Sequence, residues 1–274
     1  MGRQQTLGGS QVSRGYRLAI ATVIGWPIVT SVTLVLGMSE AIAQVSAGRD
    51  GVGTRVNREV DSGRERFLID GGTRSGDRQN LFHSFEEFGL TEHQIATFLS
   101  DPEVRNILSR VVGGNASIID GLIEVSGSDA NLYLLNPAGI VFGPNSQLNV
   151  PGDFTATTAT GIGFGEGWFG VGDEGDYAAL VGDPTHFAFA VNEPGSIINA
   201  GTLRVSPGSD LTLLGGTVIN TGTLTAPGGT LTIAAIPGDR LVRISQDGML
   251  LNLEVTALDG RSGAAATGLP FTPL

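Results

Sequence analysis

The sequence predicts an all-β chain wound as a single-stranded parallel β-helix, and three observations carry that prediction. From Ile118 onward, short β-branched or Leu-rich runs alternate with clusters of Gly, Pro, Asn and Asp, a strand-and-turn rhythm with no helical period. The segment INAGTLRVSPGSDLTLLGG from Ile198 returns as INTGTLTAPGGTLTIAAI from Ile219, 21 residues on; Asn199 falls on Asn220, Leu203 on Leu224, Leu211 on Leu231 and Leu213 on Ile233. Further upstream, SIIDGLIEVSGSDANLYLL from Ser117 matches SIINAGTLRVSPGSDLTLL from Ser196 at an offset of 79, a distance that fits four units of about twenty residues. With three short strands per unit, each strand lies on its equivalent one turn later, ~4.8 Å away. Leu203 and Leu224 should then stack inside, as should Leu211 and Leu231. One coil orders about twenty residues at roughly 1–2 kcal/mol each, yet buries roughly six apolar side chains at ~1.5–3 kcal/mol apiece. Single coils should not be stable, so order propagates by stacking from a capped end, and the exposed end strands need covering.

Taken in order, the chain begins with Arg3, Arg14 and Arg17 ahead of the apolar run Leu18 to Gly37 and the triplet Ala41-Ile42-Ala43. That is a basic n-region, an h-region and an A-x-A site, so residues 1–43 are expected to be a signal peptide cleaved after Ala43, with a retained anchor as the alternative. The remaining chain, Gln44 to Leu274, is 231 residues, enough for one large domain, with 13 Arg against 26 Asp and Glu and a formal charge of −13. There is no Lys, and no basic residue stands between Arg110 and Arg204, which argues against a phosphate-binding surface for nucleic acid. Cysteine is absent, so an exported chain of this composition is held by its core and not by disulfides.

Next come two stretches that resist the strand reading. Thr91-Glu92-His93-Gln94 has capping-box spacing, and Asp101-Pro102 followed by Val104, Ile107, Leu108 and Val111 fits a capped amphipathic helix, so local propensity predicts two short helices. The stretch Ala130–Pro144, ANLYLLNPAGIVFGP, holds the apolar runs Leu132–Leu135 and Ile140–Phe142 around the turn Asn136-Pro137-Ala138-Gly139. The coil period makes these runs successive faces of one coil instead of a hairpin. The chain ends in a Gly/Ala-rich tail, expected to be flexible over 261–274.

The blocks FLIDGGTRSGDRQNLFHSFEEFGL (Phe67 to Leu90), NILSRVVGGNASIIDGLIEVSG (Asn106 to Gly127), NLYLLNPAGIVFGPNSQLNV (Asn131 to Val150) and DFTATTATGIGFG (Asp153 to Gly165), in this order, resemble the filamentous-haemagglutinin amino-terminal domain, the secretion module of two-partner secretion exoproteins. The resemblance implies a right-handed parallel β-helix over 44–260 with an amino-terminal β cap and extra-helical hairpins. It implies, too, secretion or cell-surface display through the Sec pathway and periplasm, and export by an outer-membrane β-barrel whose POTRA domains recognise the module. It makes Asn106 to Val111 a strand, against local propensity. Of the family's two signature turns, NPNL and NPNGI, the second is matched by Asn136-Pro137-Ala138-Gly139-Ile140 except at Ala138; at Asp101-Pro102-Glu103-Val104 only Pro102 of the first remains.

For recognition, an extended segment added to a sheet edge is the expected mode, with Asn80, Phe82, Phe85 and Phe88 as the presenting residues. Asn136, Pro137, Gly139 and Ile140 are read as a coil-shaping turn or a transporter contact, and Asn199 and Asn220 as a structural ladder. No cofactor and no metal is expected. Gly165-Glu166-Gly167-Trp168-Phe169-Gly170 spells G-x-G-x-x-G without a βαβ unit; Asp173-Glu174-Gly175-Asp176 with Asp183 reads as a solvated loop before a Ca²⁺ site; and His83, His93 and His186 lack the spacing of zinc ligands. Two other classes compete. A polysaccharide-degrading β-helix needs carboxylates at equivalent positions of adjacent coils, and the two best-aligned coils offer Leu, Thr and Gly there. A glycan-binding adhesin would stack sugars on Trp168, Phe169 or Tyr177.

Overall fold

Strands are short here because a turn residue arrives every few positions, and each turn sends the chain to a new face instead of folding it back on itself. The computed structural model describes residues 44–61, 63–172, 175–244 and 253–258; the expected signal, 1–43, and tail, 261–274, lie outside them. The chain opens with β1 (Val45–Ala47), β2 (Thr54–Asp61), β3 (Arg64–Gly71) and β4 (Thr73–Arg74), then β5 (Asn80–Phe88), β6 (Gln94–Leu99) and β7 (Asn106–Val111). It continues through β8 (Ser117–Ile119), β9 (Leu122–Ser126), β10 (Asn131–Leu135), β11 (Ile140–Phe142), β12 (Gln147–Asn149) and β13 (Phe154–Thr157). An excursion carries β14 (Gly161–Phe164), β15 (Gly167–Gly170), a 3-10 turn (Tyr177–Ala179) and β16 (His186–Phe189). Coiling resumes with β17 (Ser196–Asn199), β18 (Thr202–Arg204), β19 (Leu211–Gly215), β20 (Thr217–Asn220), β21 (Thr223–Thr225) and β22 (Leu231–Ala235), before β23 (Arg240–Ile244) and β24 (Leu253–Ala257) leave again.

Three faces result. Face A runs β1-β5-β7-β10-β13-β19-β22, face B β2-β3-β6-β9-β12-β18-β21 and face C β8-β11-β17-β20. From β5 onward the neighbours on face A are all parallel, as they are on face B from β3 and throughout face C. Antiparallel β1, β2 and β4 close the amino-terminal end. The fold is therefore a parallel β-helix with a β cap, and the runs flanking Asn136-Pro137 do not pair with each other: β10 lies between β7 and β13, and β11 between β8 and β17.

The repeat register appears as read, with Asn199 on Asn220, Leu203 on Leu224, Leu211 on Leu231 and Leu213 on Ile233. Three expectations need correction. The 79-residue offset spans two coil steps and not four, since Ile118, Val141 and Ile198 stack directly and residues 158–195 leave the coil between them. Leu231 does not stack inside a closed core: it is 44 % exposed, because nothing among the described residues stacks beyond β22 on face A. The two helices are absent. Thr91 N donates to Gln94 Oε1 (2.7 Å) and Gln94 N to Thr91 O (3.0 Å), so the capping-box residues close one turn and then enter β6. Likewise Val104 N bonds Asp101 O (3.0 Å) and Glu103 N bonds Asp101 Oδ1 (3.1 Å), another single turn. β7 is buried on both sides; with Ile107 inward and Leu108 outward, its apolar spacing imitates a helix without being one.

A fourth sheet, β15-β14-β16-β23-β24, is antiparallel throughout and lies over the outer side of face A. It creates a second core in which Phe82, Leu108, Leu135 and Leu214 of face A meet Ile162, Phe164, Phe169, Tyr177, Leu180, Phe187 and Val242. The first core fills the coil interior, where Leu81, Ile107, Leu132, Phe154 and Leu211 stack in one row.

Candidate recognition site

Strand alternation, shifted by the bulge at Glu86, divides β5 between the two cores. Phe85 and Phe88 point into the coil against Phe98, with ring centroids 5.1 Å apart for Phe85–Phe88 and 6.1 Å for each with Phe98. Phe82 points outward against Phe164, Phe169 and Tyr177, at 5.9, 5.0 and 5.4 Å. Asn80 also points outward, donating through Nδ2 to the carbonyls of Leu180 (2.9 Å) and Gly182 (2.8 Å). All four are 0–2 % exposed. The structure thus joins the four in one strand while sending them to opposite sides of it.

On the neighbouring strand, beside Ser84, stands a buried charge to which the sequence offers no pointer. Arg110, fully buried on β7, donates to Asp50 Oδ2 (2.8 Å), to the Tyr177 hydroxyl (2.8 Å) and to the Gly170 carbonyl, and its guanidinium lies 4.9 Å from the Phe169 ring centre. Ser84 donates to Asp50 as well. Burial would raise the Asp50 pKa, but the hydrogen bonds from Ser84 and Arg110 and the Arg110 charge outweigh it and hold the carboxyl below its ordinary value. One guanidinium therefore ties the cap, face A and the excursion together. No spacing rule links Asp50, Arg110 and Tyr177, so only the fold brings them together.

A second group of residues, of which only Asn80 is among the sequence-based candidates, had a visible signal. Five strands of face A, β5, β7, β10, β13 and β19, open with or directly follow Asn or Asp before an apolar residue, at Asn80-Leu81, Asn106-Ile107, Asn131-Leu132, Asp153-Phe154 and Asp210-Leu211. These side chains form a continuous ladder: Asn106 Nδ2 donates to Asn80 Oδ1 (2.9 Å), Asn131 Nδ2 to Asn106 Oδ1 (3.0 Å), Asp153 N to Asn131 Oδ1 (2.8 Å), Asp210 N to Asp153 Oδ1 (2.8 Å) and Thr230 N to Asp210 Oδ1 (2.6 Å). Stacked carboxylates do occur in adjacent coils, then, contrary to the expectation from the two best-aligned ones. Asp153 has its pKa raised, by burial first and by the Asp210 charge beside it. They border a groove of about 1190 Å³ with Asp129, Asp183 and Tyr133 on its walls.

The Asn136 turn is built from inside. Asn136 is 1 % exposed; its Nδ2 donates to Asn115 O (3.0 Å) and to the Ser117 hydroxyl (3.0 Å), and its Oδ1 accepts from Ala138 N (3.0 Å). Gly139 has φ +122°, a backbone state that disfavours side chains, and its carbonyl accepts from Ser117 N (3.0 Å). Ile140 is buried, while the Pro137 carbonyl accepts from Gly195 N (3.1 Å) one coil on. Asn199 Nδ2 donates to Asn220 Oδ1 at 2.7 Å. At the unmatched first turn, Asp101 and Glu103 face Arg74 and Arg78 in ion pairs.

The literal G-x-G-x-x-G lies on the antiparallel hairpin β14–β15, with no helix to receive a phosphate. Asp173 and Glu174 of the acidic loop lie outside the described residues, among which no three His, Asp or Glu side chains are grouped to hold a metal. Phe169 and Tyr177 are 0 and 8 % exposed, which corrects their candidacy as sugar-stacking rings; Trp168 alone of the three is partly exposed.

A family model described as TPS secretion domain matches residues 45–266. The tRNA nuclease CdiA of Escherichia coli strain NC101 is 30 % identical over 162 residues, covering 53 % of this chain and 5 % of that protein; CdiA of strain STEC_O31 matches to the same extent. The aligned part is thus a small fraction of those relatives' length. Among solved structures, the HMW1 secretion domain from Haemophilus influenzae superposes with a TM-score of 0.51 at 20 % identity, over 78 % of this chain and 48 % of that one.

Proposed function

This chain belongs to the TPS secretion domain family, and from that membership we infer that a dedicated transporter carries it. It is a two-partner secretion module of the kind carried by secreted exoproteins, and the family is a transport module and not an enzyme family. We propose that an outer-membrane barrel of the two-partner type recognises this module through its periplasmic POTRA domains, after Sec-dependent passage into the periplasm, and that the coil folds outside.

The observation that supports this reading is burial. Asn80, Phe82, Phe85 and Phe88, with Asn136 and Ile140, are 0–2 % exposed in the folded coil, so a partner reads them only before the fold is complete. An extended chain suits addition to a sheet edge, where main-chain bonds supply affinity and alternate side chains supply register. It also suits the lumen of a barrel, which a finished coil would overfill.

The test is co-expression of the full chain with a two-partner transporter and assay of the medium, for the parent and for Phe82→Leu/Phe88→Leu. These exchanges keep the apolar character of both cores, so refolded variant protein should retain a protease-resistant core. Export should nevertheless fall several-fold. Full export of the double variant, or retention of the parent in the periplasm with every such transporter tried, would sink the reading.

A further inference from the structure

We propose that the outward side of β5 and β7 is a shared docking surface, taken first by the transporter and afterwards by residues 160–172 and 175–182 of the chain itself, so that arrival of the excursion displaces the transporter. This rests on the reading that the Asn80–Phe88 strand is what the transporter recognises. The outward side carries Asn80, Phe82, Ser84, Leu108 and Arg110. The cap covers its Ser84 end, where Asp50 meets both Ser84 and Arg110, but the rest of its cover comes from far along the sequence: Asn80 is satisfied by carbonyls 100 and 102 residues later, and Arg110 additionally by Gly170 and Tyr177, 60 and 67 residues later. Gly76 N to Ala178 O (2.9 Å) and Gly182 N to Asp77 Oδ2 (2.9 Å) clamp the same junction from the cap side.

The coil interior behind this face takes no described residue from the excursion: Leu81, Phe85, Phe98 and Ile107 belong to the first core, and Ile107 stacks between Leu81 and Leu132. A chain delivered only through the first coils therefore has its inner rows available while an aromatic ring, an amide and a guanidinium remain on the outer side. Water satisfies the polar groups but not Phe82 and Leu108, and a surface of that kind seeks a partner.

The intramolecular occupant specifies the chemistry of the earlier one. It offers main-chain carbonyl oxygens to Asn80 and Arg110, a phenol hydroxyl to Arg110, and aromatic rings to Phe82. A transporter segment that holds this face must offer the same set: extended backbone with free carbonyls and at least one aromatic side chain. Competition arises because both occupants need the same donors of Asn80 and Arg110.

Two measurements on the full chain test this. A photo-reactive benzoyl-phenylalanine in place of Phe82 (outward) or Phe85 (inward) is introduced during co-expression with the transporter, in the parent and in Phe169→Ala/Tyr177→Phe. Cross-links to the transporter should be stronger from 82 than from 85 and should increase in the double variant, whose excursion docks weakly. Equal cross-linking from both positions, or none of that increase, overturns the shared surface. Absence of cross-links from 82 and 85 alike while export continues overturns the recognition reading itself. On refolded protein, hydrogen exchange in the double variant should lose about tenfold or more protection in Asn80–Phe88 and Asn106–Val111, with β17–β19 unchanged. Loss spread evenly over all coils, or no loss, shows that the excursion is not what closes this face, and the displacement step fails even if the cross-links appear.

Discussion

At the scale of single residues, the coil interior holds one group that does not belong there by chemistry. The second inward row of face A is His83, Ser109, Leu134, Ala156, Leu213 and Ile233. His83 is fully buried, neither ring nitrogen nor the neighbouring Ser109 hydroxyl has a hydrogen-bond partner among the described residues, and the Phe98 ring lies 5.8 Å away. Burial lowers the His83 pKa to about 4, the opposing pull of Asp70 being smaller. The unfolded chain, near 6.5, thus binds more protons than the folded one between these values, so the His83 contribution to stability is fully present above pH 6.5 and is lost as pH drops toward 4. The loss reaches about 3 kcal/mol over that window. Urea midpoints at about pH 7.5 and about pH 5 should diverge for the parent and converge for His83→Leu, whose side chain matches Leu134 in the same row; an equal pH slope in both would assign the effect elsewhere. Arg110→Met should cost about 3 kcal/mol at neutral pH, because Asp50 and the Gly170 carbonyl lose their donor inside the protein. That is read as a lower urea midpoint with the unfolding slope kept. The missing partners of His83 and the Arg110 cluster were not legible in the sequence. His83 sits in a run of alternating residues whose inward side depends on register, and the partners of Arg110 are 60 and 67 residues away.

At the scale of elements, legibility followed continuity. The coils from Ile198 and Ile219 could be aligned because nothing interrupts them, and their register came out residue for residue. The coil from Val141 to Ile198 could not, since residues 158–195 depart from the sheet and a fixed period then miscounts the turns. Capping-box and Asp-Pro signals were real hydrogen-bonding preferences, but one turn satisfies them as fully as a helix does, and a strand buried on both sides erases the alternation that would have arbitrated. The amide and carboxylate ladder at the starts of the face A strands was readable in the recurring Asn or Asp before an apolar residue. It makes the coils mutually dependent at that edge: Asn106→Leu leaves the Asn80 carbonyl oxygen and the Asn131 amide unpaired together, at a cost of about 2 kcal/mol in denaturant unfolding. At Asn220 the same kind of loss should be smaller, since that ladder end is exposed to water.

At the scale of the whole molecule, the two ends differ. The amino-terminal end is closed by antiparallel β1, β2 and β4, whereas β20, β21 and β22 form a last coil with no described strand stacked beyond them. Residues that point into the core by register are therefore not equally buried: Leu211 and Leu213 are 0 % exposed, but their successors Leu231 and Ile233 are 44 and 47 % exposed. In a stack where each coil meets only its neighbours, stability is a sum of coil and interface terms, and the last coil has one interface in place of two. Truncation at equivalent positions then separates packing from chemistry. Leu213→Ala removes a side chain enclosed on all sides and should cost about 3 kcal/mol. Ile233→Ala, one coil later in the same inward row, opens a site that water already reaches and should cost about 1 kcal/mol or less. Comparable losses at the two positions in equilibrium unfolding would mean that the end of the coil is covered in solution; the larger loss at Leu213 would mean that the solenoid is anchored at its cap and thins toward β22.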